Sequence, residues 1–257
     1  MRRPTPLLAC VALAALGAGL AGATLERALP EGLTSDAEQA IRSLRMHRAV
    51  VAWTTGAALA TGGVLVQAVF RNALASPSIL GVTAGASLGG TLALWASALG
   101  AASVLPPATW VPVGCFAGAL SALALLLALT RGATQSTTFL LGGFLLSSLF
   151  MSAGAFLLSL SQSRWEVGRA IVSFPLGSVA GSGPLQIVTV GAMTLAGATA
   201  AWGWRRSLDV MMTGDEEARS LGVDVVAVRR WGVVWTALLS AGAVAVGGNI
   251  AFVGLVV

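Results

Sequence analysis

Apolar runs of 16 to 24 residues alternate with short polar breaks along the chain, at 7–25, 49–70, 79–99, 110–129, 137–160, 185–204 and 231–246, and an eighth begins near residue 250. A helix needs about 20 apolar residues to cross the hydrocarbon layer of a bilayer, so each run matches one crossing. The clearest instance lies between Arg71 and Arg131, fifty-nine residues without a charged side chain. A run that long is not the core of a water-soluble domain. The breaks contain helix-ending residues, Pro77, Pro106-Pro107 and Gly183-Pro184. The pattern predicts an all-α polytopic transmembrane helical bundle, one domain over 1–257 with seven complete spans and part of an eighth.

Composition agrees with this reading and removes one alternative. Hydrophobic residues make up 56% of the chain and charged residues 10%, mean hydropathy is +0.85, and there are 32 glycines, as close-packed membrane helices require. The net charge of +5 comes from 15 arginines, with no lysine, against 10 acidic residues. In a membrane protein such a balance reflects basic cytoplasmic loops, so nucleic acid is not an expected partner. With the N-terminus in the cytoplasm, nine arginines fall inside (Arg2, Arg3, Arg71, Arg131, Arg205, Arg206, Arg219, Arg229, Arg230) and six outside (Arg27, Arg42, Arg45, Arg48, Arg164, Arg169). Tryptophans cluster at the expected interfaces, with Trp53, Trp95, Trp110 and Trp165 at outer ends and Trp202, Trp204, Trp231 and Trp235 at inner ends. Arg2-Arg3 before an Ala- and Gly-rich run also fits a secretory leader. That run is longer than an ordinary leader core, and a retained first span is expected.

Motifs borrowed from soluble enzymes carry little here. Gly17-Ala-Gly19-Leu-Ala-Gly22 matches the dinucleotide fingerprint but follows no strand. Gly85-Ala-Ser87-Leu-Gly89 matches the nucleophile pattern, yet the single histidine, His47, lies on another span, so an intramembrane serine protease lacks its base. Gly85 with Gly89, Gly114 with Gly118, and Gly177 with Gly181 read instead as small-xxx-small packing faces. Cys10 and Cys115 match no metal or disulfide spacing and read as packing residues. No catalytic group, metal or cofactor is expected. The complete spans also lack an internal acid of the kind that couples protons or sodium to transport, which speaks against an ion-coupled secondary transporter. If the protein moves a solute uphill, the energy enters from outside the bilayer.

The loop 205–230 is where it can enter. Thr213 with Glu216 fits a capping box, Asp215, Glu216 and Glu217 fill a first turn where the helix dipole favours acids, and Gly222 provides a left-handed stop. The expected product is a short, rigid helix over 215–221, outside the bilayer.

Five segments taken together resemble the FecCD family, the permease subunits of bacterial ABC importers for ferric siderophores, haem and cobalamin. They are Arg45-Met-His-Arg48, Gly56-Ala-Ala-Leu-Ala60, Gln67 through Arg71-Asn72-Ala73-Leu-Ala-Ser-Pro77 with Leu80-Gly-Val-Thr-Ala-Gly85-Ala86, Gly214-Asp-Glu-Glu-Ala-Arg-Ser-Leu-Gly222, and 247–256. The sequence departs from that pattern at Ala73 and Asn249, where proline is usual, and at Met46-His47 in place of Leu-Pro. The resemblance implies ten spans, of which this sequence supplies seven and part of an eighth, so it is read as C-terminally truncated. It also implies a multi-pass protein of the bacterial inner membrane that is no enzyme itself. Its implied partners are ATP-binding-cassette ATPase subunits, an extracytoplasmic solute-binding protein and a second permease subunit, identical or paralogous, all assembled in the lipid bilayer. By the same resemblance Gly214, Asp215, Glu216, Glu217, Ala218, Arg219, Ser220, Leu221 and Gly222 form the ATPase-coupling element, and Arg45 and Arg48 receive the binding protein. Two further expectations come from the residues themselves: Ser136, Thr137 and Thr138 line a cytoplasmic gate or cap the fifth span, and Arg45 and Arg48 share one face at the head of a helix.

Overall fold

A computed structural model of the chain describes residues 34–100, 107–130, 136–161, 165–177 and 184–250, and among these all regular structure is helical. The first and eighth predicted runs, the Gly17–Gly22 motif, Cys10 and Gly181 lie outside the described residues. Helix α1 is Ser35–Phe70. A 3-10 turn, Pro77–Leu80, leads into α2, Val82–Ala98. Then follow α3, Pro107–Leu129, α4, Ser136–Leu160, α5, Trp165–Leu176, and α6, Pro184–Gly203. Two short helices, α7, Arg205–Met211, and α8, Asp215–Ser220, precede α9, Val225–Gly247. Four of the described helices are long and apolar enough to cross a membrane, and α6 with α7, bent by 62°, makes a fifth if counted as one broken span.

Three element boundaries differ from the hydropathy reading. Helix α1 starts fourteen residues before the predicted run, because Asp36 and Glu38 in its first turn suit the dipole and no breaker separates them from residue 49. At about 1.5 Å per residue its 36 residues span about 54 Å, well beyond a 30 Å hydrocarbon layer. Arg45 and Arg48 therefore sit in the middle of a continuous helix and not at its head. The span predicted at 79–99 loses its first turn to the 3-10 segment, since Gly81 adopts φ 77° and resets the chain before α2. The run predicted at 231–246 begins earlier, at Val225, where the Asp224 carboxylate accepts the Ala227 N–H at 3.0 Å as an N-cap.

Helix α9 is the axis of the bundle, packed against α1, α2, α3 and α6. From Gly232 onward it is mostly apolar and largely buried, with Val233, Ala237, Leu239, Ala241 and Val244 sealed from solvent, as expected of a helix surrounded by others. It runs antiparallel to α1: Gly232 faces Val69, Gly62 faces Thr236 and Leu239, and Gly247 faces Thr55. Hydroxyls tie the helices where apolar contact gives no direction. Thr236 Oγ1 donates to the Gly232 carbonyl of its own helix at 2.8 Å and reaches that of Gly62 at 3.4 Å, while Thr194 Oγ1 on α6 reaches the Thr54 carbonyl at 3.3 Å.

Helices α2 and α3 approach each other closely through glycines. Gly85 and Gly89 of α2 lie against Gly118 and Gly114 of α3 so tightly that a Cβ on Gly89 would fall on the Gly114 carbonyl oxygen, and one on Gly118 on that of Gly85. The pattern Gly85-Ala-Ser87-Leu-Gly89 is thus a packing face, as the spacing predicted. Gly90 leaves room for the Phe174 ring of α5 and for Cys115, which is a buried packing residue. At the far end of α5, Gly177 meets Gly247 and Gly248 backbone to backbone.

Candidate functional site

Charge gathers at one end of the bundle, where α1 stops, α8 lies and α9 begins. Helix α1 ends in a Schellman arrangement: the Arg71 N–H donates to Ala68 O and the Asn72 N–H to Gln67 O. The left-handed position of that motif, normally glycine, is Arg71 itself at φ 50°, the one positive-φ residue other than glycine among the described residues. For an L-residue this conformation costs about 1 kcal/mol, and it aims the Arg71 guanidinium toward α8. Asp215, first residue of α8, stands between two arginines. Its Oδ2 accepts from Nη2 of Arg229 at 2.8 Å, and its Oδ1 lies 3.7 Å from Nη2 of Arg71. Arg229 belongs to the second turn of α9 and is only 7% exposed.

The predicted short helix is present, one residue shorter at its C-terminal end, with Leu221 as its cap. Its stop is the left-handed glycine expected: Gly222 has φ 81°, its N–H donates to Arg219 O at 3.0 Å, and the Val223 N–H donates to Ala218 O at 2.9 Å. The predicted capping box does not form. Gly214 is the N-cap residue at φ 149°, and the Thr213 hydroxyl turns back to donate to the Val210 carbonyl at 2.8 Å, closing the end of α7. With α7 ending only three residues before α8, that carbonyl competes for the hydroxyl.

The nine residues singled out for this element divide by face. Gly214, Asp215 and Ala218 point into the protein, Ala218 without any exposed surface. Glu216, Glu217, Arg219, Ser220, Leu221 and Gly222 face out, Leu221 with 69% of its surface free. Leu74, beyond the α1 stop, is 72% exposed at the same end, in a loop pinned by the Asn72 Oδ1 bond to the Leu74 N–H at 2.9 Å.

Ser136, Thr137 and Thr138 form the first turn of α4, with Thr137 and Thr138 exposed. The next residue, Phe139, packs on Phe70 with ring centroids 6.0 Å apart, which brings this turn to the same end as Arg71 and α8. Arg45 and Arg48 lie on α1 about 39 and 35 Å up the helix from Arg71, toward the opposite end; Arg48 is exposed and Arg45 partly covered. The sequence thus names three groups of residues, and the fold brings two of them together and sets the third apart. It does not foretell Arg71–Asp215–Arg229. The usable signal was Arg71, an isolated charge closing a long apolar run.

Other candidate chemistry recedes. The His47 imidazole is engaged through Nδ1 with the Ser43 carbonyl at 2.7 Å on its own helix. Among the described residues no three His, Cys, Asp or Glu side chains are grouped to hold a metal. A cavity of about 300 Å³ lies between α2, α4 and α5, with Ser87, Thr91 and Asn249 as its polar lining.

Comparison with known proteins places this arrangement. The sequence profile of the FecCD transport family matches residues 5–257. The chain is 32% identical over 228 residues to the cobalamin import system permease protein BtuC of Halobacterium salinarum, covering 88% of this chain and 59% of that protein. It is 34% identical over 226 residues to the Fe(3+) dicitrate transport system permease protein FecD of Escherichia coli, covering 83% and 64%. Against the hemin transport system permease protein HmuU of Yersinia pestis it is 32% identical over 263 residues, covering 98% and 75%. The chain therefore spans about three fifths of the length of the first two. Among solved structures, an inward-facing ABC transporter described as of metal-chelate type superposes with a TM-score of 0.82 at 25% identity over 96% of this chain and 78% of that one. With the apolar helices, the capped α8 and a family match that runs nearly end to end, the chain belongs to the FecCD transport family.

Proposed function

We propose that this chain is the membrane permease subunit of an ATP-binding-cassette importer that carries ferric siderophore, haem or cobalamin-type chelates into the cell. The observation that carries the reading is α8: a doubly terminated helix whose outer face is free while its inner face is tied to the ends of α1 and α9. A helix held that way transmits a push. The relatives named for cobalamin, ferric citrate and hemin supply the solute class. In this reading the chain performs no chemistry; ATP is hydrolysed by separate subunits that grip Glu216, Glu217, Arg219, Ser220 and Leu221, with Leu74 beside them.

The same arrangement supports the remaining parts of the reading. The α8 end faces the cytoplasm of a bacterial inner membrane, and the N-terminus lies on that same side if the expected first span crosses the bilayer. Thr137 and Thr138, with Ser136, stand at the inner mouth of the path. Arg45 and Arg48 face outward and receive the solute-binding protein. A second permease subunit, identical or paralogous, covers apolar surface such as Phe144, Leu145 and Met151 of α4, which is exposed among the described residues. An ion-coupled mechanism would require an ionisable group in mid-bundle; the buried charged side chain among the described residues, Arg229, sits near a helix end against Asp215.

Reconstitution tests this. The full-length protein should co-purify with an ATP-hydrolysing subunit and, in proteoliposomes, take up cyanocobalamin, ferric citrate or hemin only with ATP. Uptake driven by a proton or sodium gradient without nucleotide refutes the reading.

A further inference from the structure

Helix α8 has six residues, far below the length at which a helix is stable by itself. Its attachments to the bundle are therefore what make it rigid. Ala218 packs its methyl into the core, and Asp215 ties the first turn to two helices at once, α1 through Arg71 and α9 through Arg229. These two arginines are 158 residues apart in sequence. The Asp215–Arg229 contact is the stronger, a hydrogen-bonded ion pair with the arginine almost wholly buried; the Arg71 contact is longer and its arginine is partly open to water. Arg71 nevertheless occupies a left-handed position that glycine would fill without strain. The guanidinium earns that position only if it has work there.

We propose that Asp215 is a positioning residue, an ionic latch joining α8 to the ends of α1 and α9, so that displacement of α8 moves both helices together. Helix α9 is the axis of the bundle and α1 its antiparallel neighbour, so a pull delivered at Asp215 reaches the glycine contacts at Gly62 and Gly232 along their shared face. The outward face of α8 binds and the inward carboxylate transmits. This rests on the importer reading and adds to it the side chain through which motion passes. A purely structural account assigns Asp215 a different duty, neutralising the buried Arg229 charge.

Two variants separate these accounts. Asp215→Asn alone strands the Arg229 charge and can compromise folding. Asp215→Asn with Arg229→Met removes both charges, so a charge-compensation role predicts that the double variant recovers fully. The latch predicts that it folds but stays unlatched: amide exchange over 215–223, measured on the full-length protein in lipid nanodiscs, rises at least tenfold. In the reconstituted transporter the amount of cyanocobalamin, ferric citrate or hemin moved per ATP hydrolysed, using whichever the wild type carries, falls at least fivefold. Asp215→Glu, which keeps the charge, retains more than half of the wild-type ratio. Wild-type exchange or a wild-type transport ratio in the double variant overturns the latch. A wild-type protein that engages no ATPase refutes the importer reading instead, and the exchange measurement then decides the latch alone.

Discussion

Gly89→Ala puts the α2–α3 crossing to a direct test. A Cβ at Gly89 would overlap the Gly114 carbonyl oxygen and stand 2.9 Å from its carbon and 3.0 Å from the Gly118 Cα. Carbon atoms rest at about 3.5–4.0 Å, so the helices must separate by about 1 Å at this point. That opens a contact flanked by Ala93, Cys115 and Ala122, all buried. Overpacking of this kind costs about 1–3 kcal/mol, against which alanine returns up to about 1 kcal/mol in helix propensity. Gly191→Ala on α6 is the control, because a Cβ there meets nothing within 4 Å. The two variants should therefore differ by about 2 kcal/mol, or roughly thirtyfold in unfolding equilibrium. The assay is SDS-induced unfolding in mixed micelles followed by tryptophan fluorescence. If Gly89→Ala proves as stable as Gly191→Ala, the two helices do not depend on glycine contact and the packing account of the Gly85–Gly89 pair fails.

Other expectations concern the ends of the bundle. Gly222→Val should loosen α8 by strain alone, about 1–2 kcal/mol, since a side chain at φ 81° has open space around it; faster proteolysis at 215–223 and weaker ATPase association would register it, and Gly222→Asn should be milder. Cysteines at Thr137 and Thr138 in a Cys-free protein should change their reactivity toward a water-soluble thiol reagent between nucleotide-free and ATP-bound states, whereas equal labelling leaves these residues as an ordinary first turn. Exchanging Arg45 and Arg48 for glutamate should slow association of the binding protein and invert its salt dependence, as rim charges govern encounter more than affinity; an unchanged rate and salt slope would reduce both to membrane-surface anchors.

Sequence alone determined the class of the protein and the local form of its parts. Apolar runs give spans because the bilayer is about 30 Å thick and lipid satisfies no backbone polar group, and Gly222 gives a helix stop because left-handed backbone suits glycine best. The spacings of Gly85 with Gly89 and of Gly114 with Gly118 were legible for a similar reason, since residues four apart share a helix face; Gly177 instead stands past the end of α5 at φ 74°. Tertiary structure decided what those rules leave open. Hydropathy marked where the membrane-length part of α1 begins, but not that its helix starts fourteen residues earlier, since polar residues continue a helix as readily as they end one. Local pattern assigned the cap of α8 to Thr213, yet the nearby end of α7 claimed that hydroxyl. Beyond the isolated charge of Arg71, nothing in the sequence marked its meeting with Asp215 and Arg229, because attraction between charges depends on distance in space, and the fold alone brings residue 71 to residue 215.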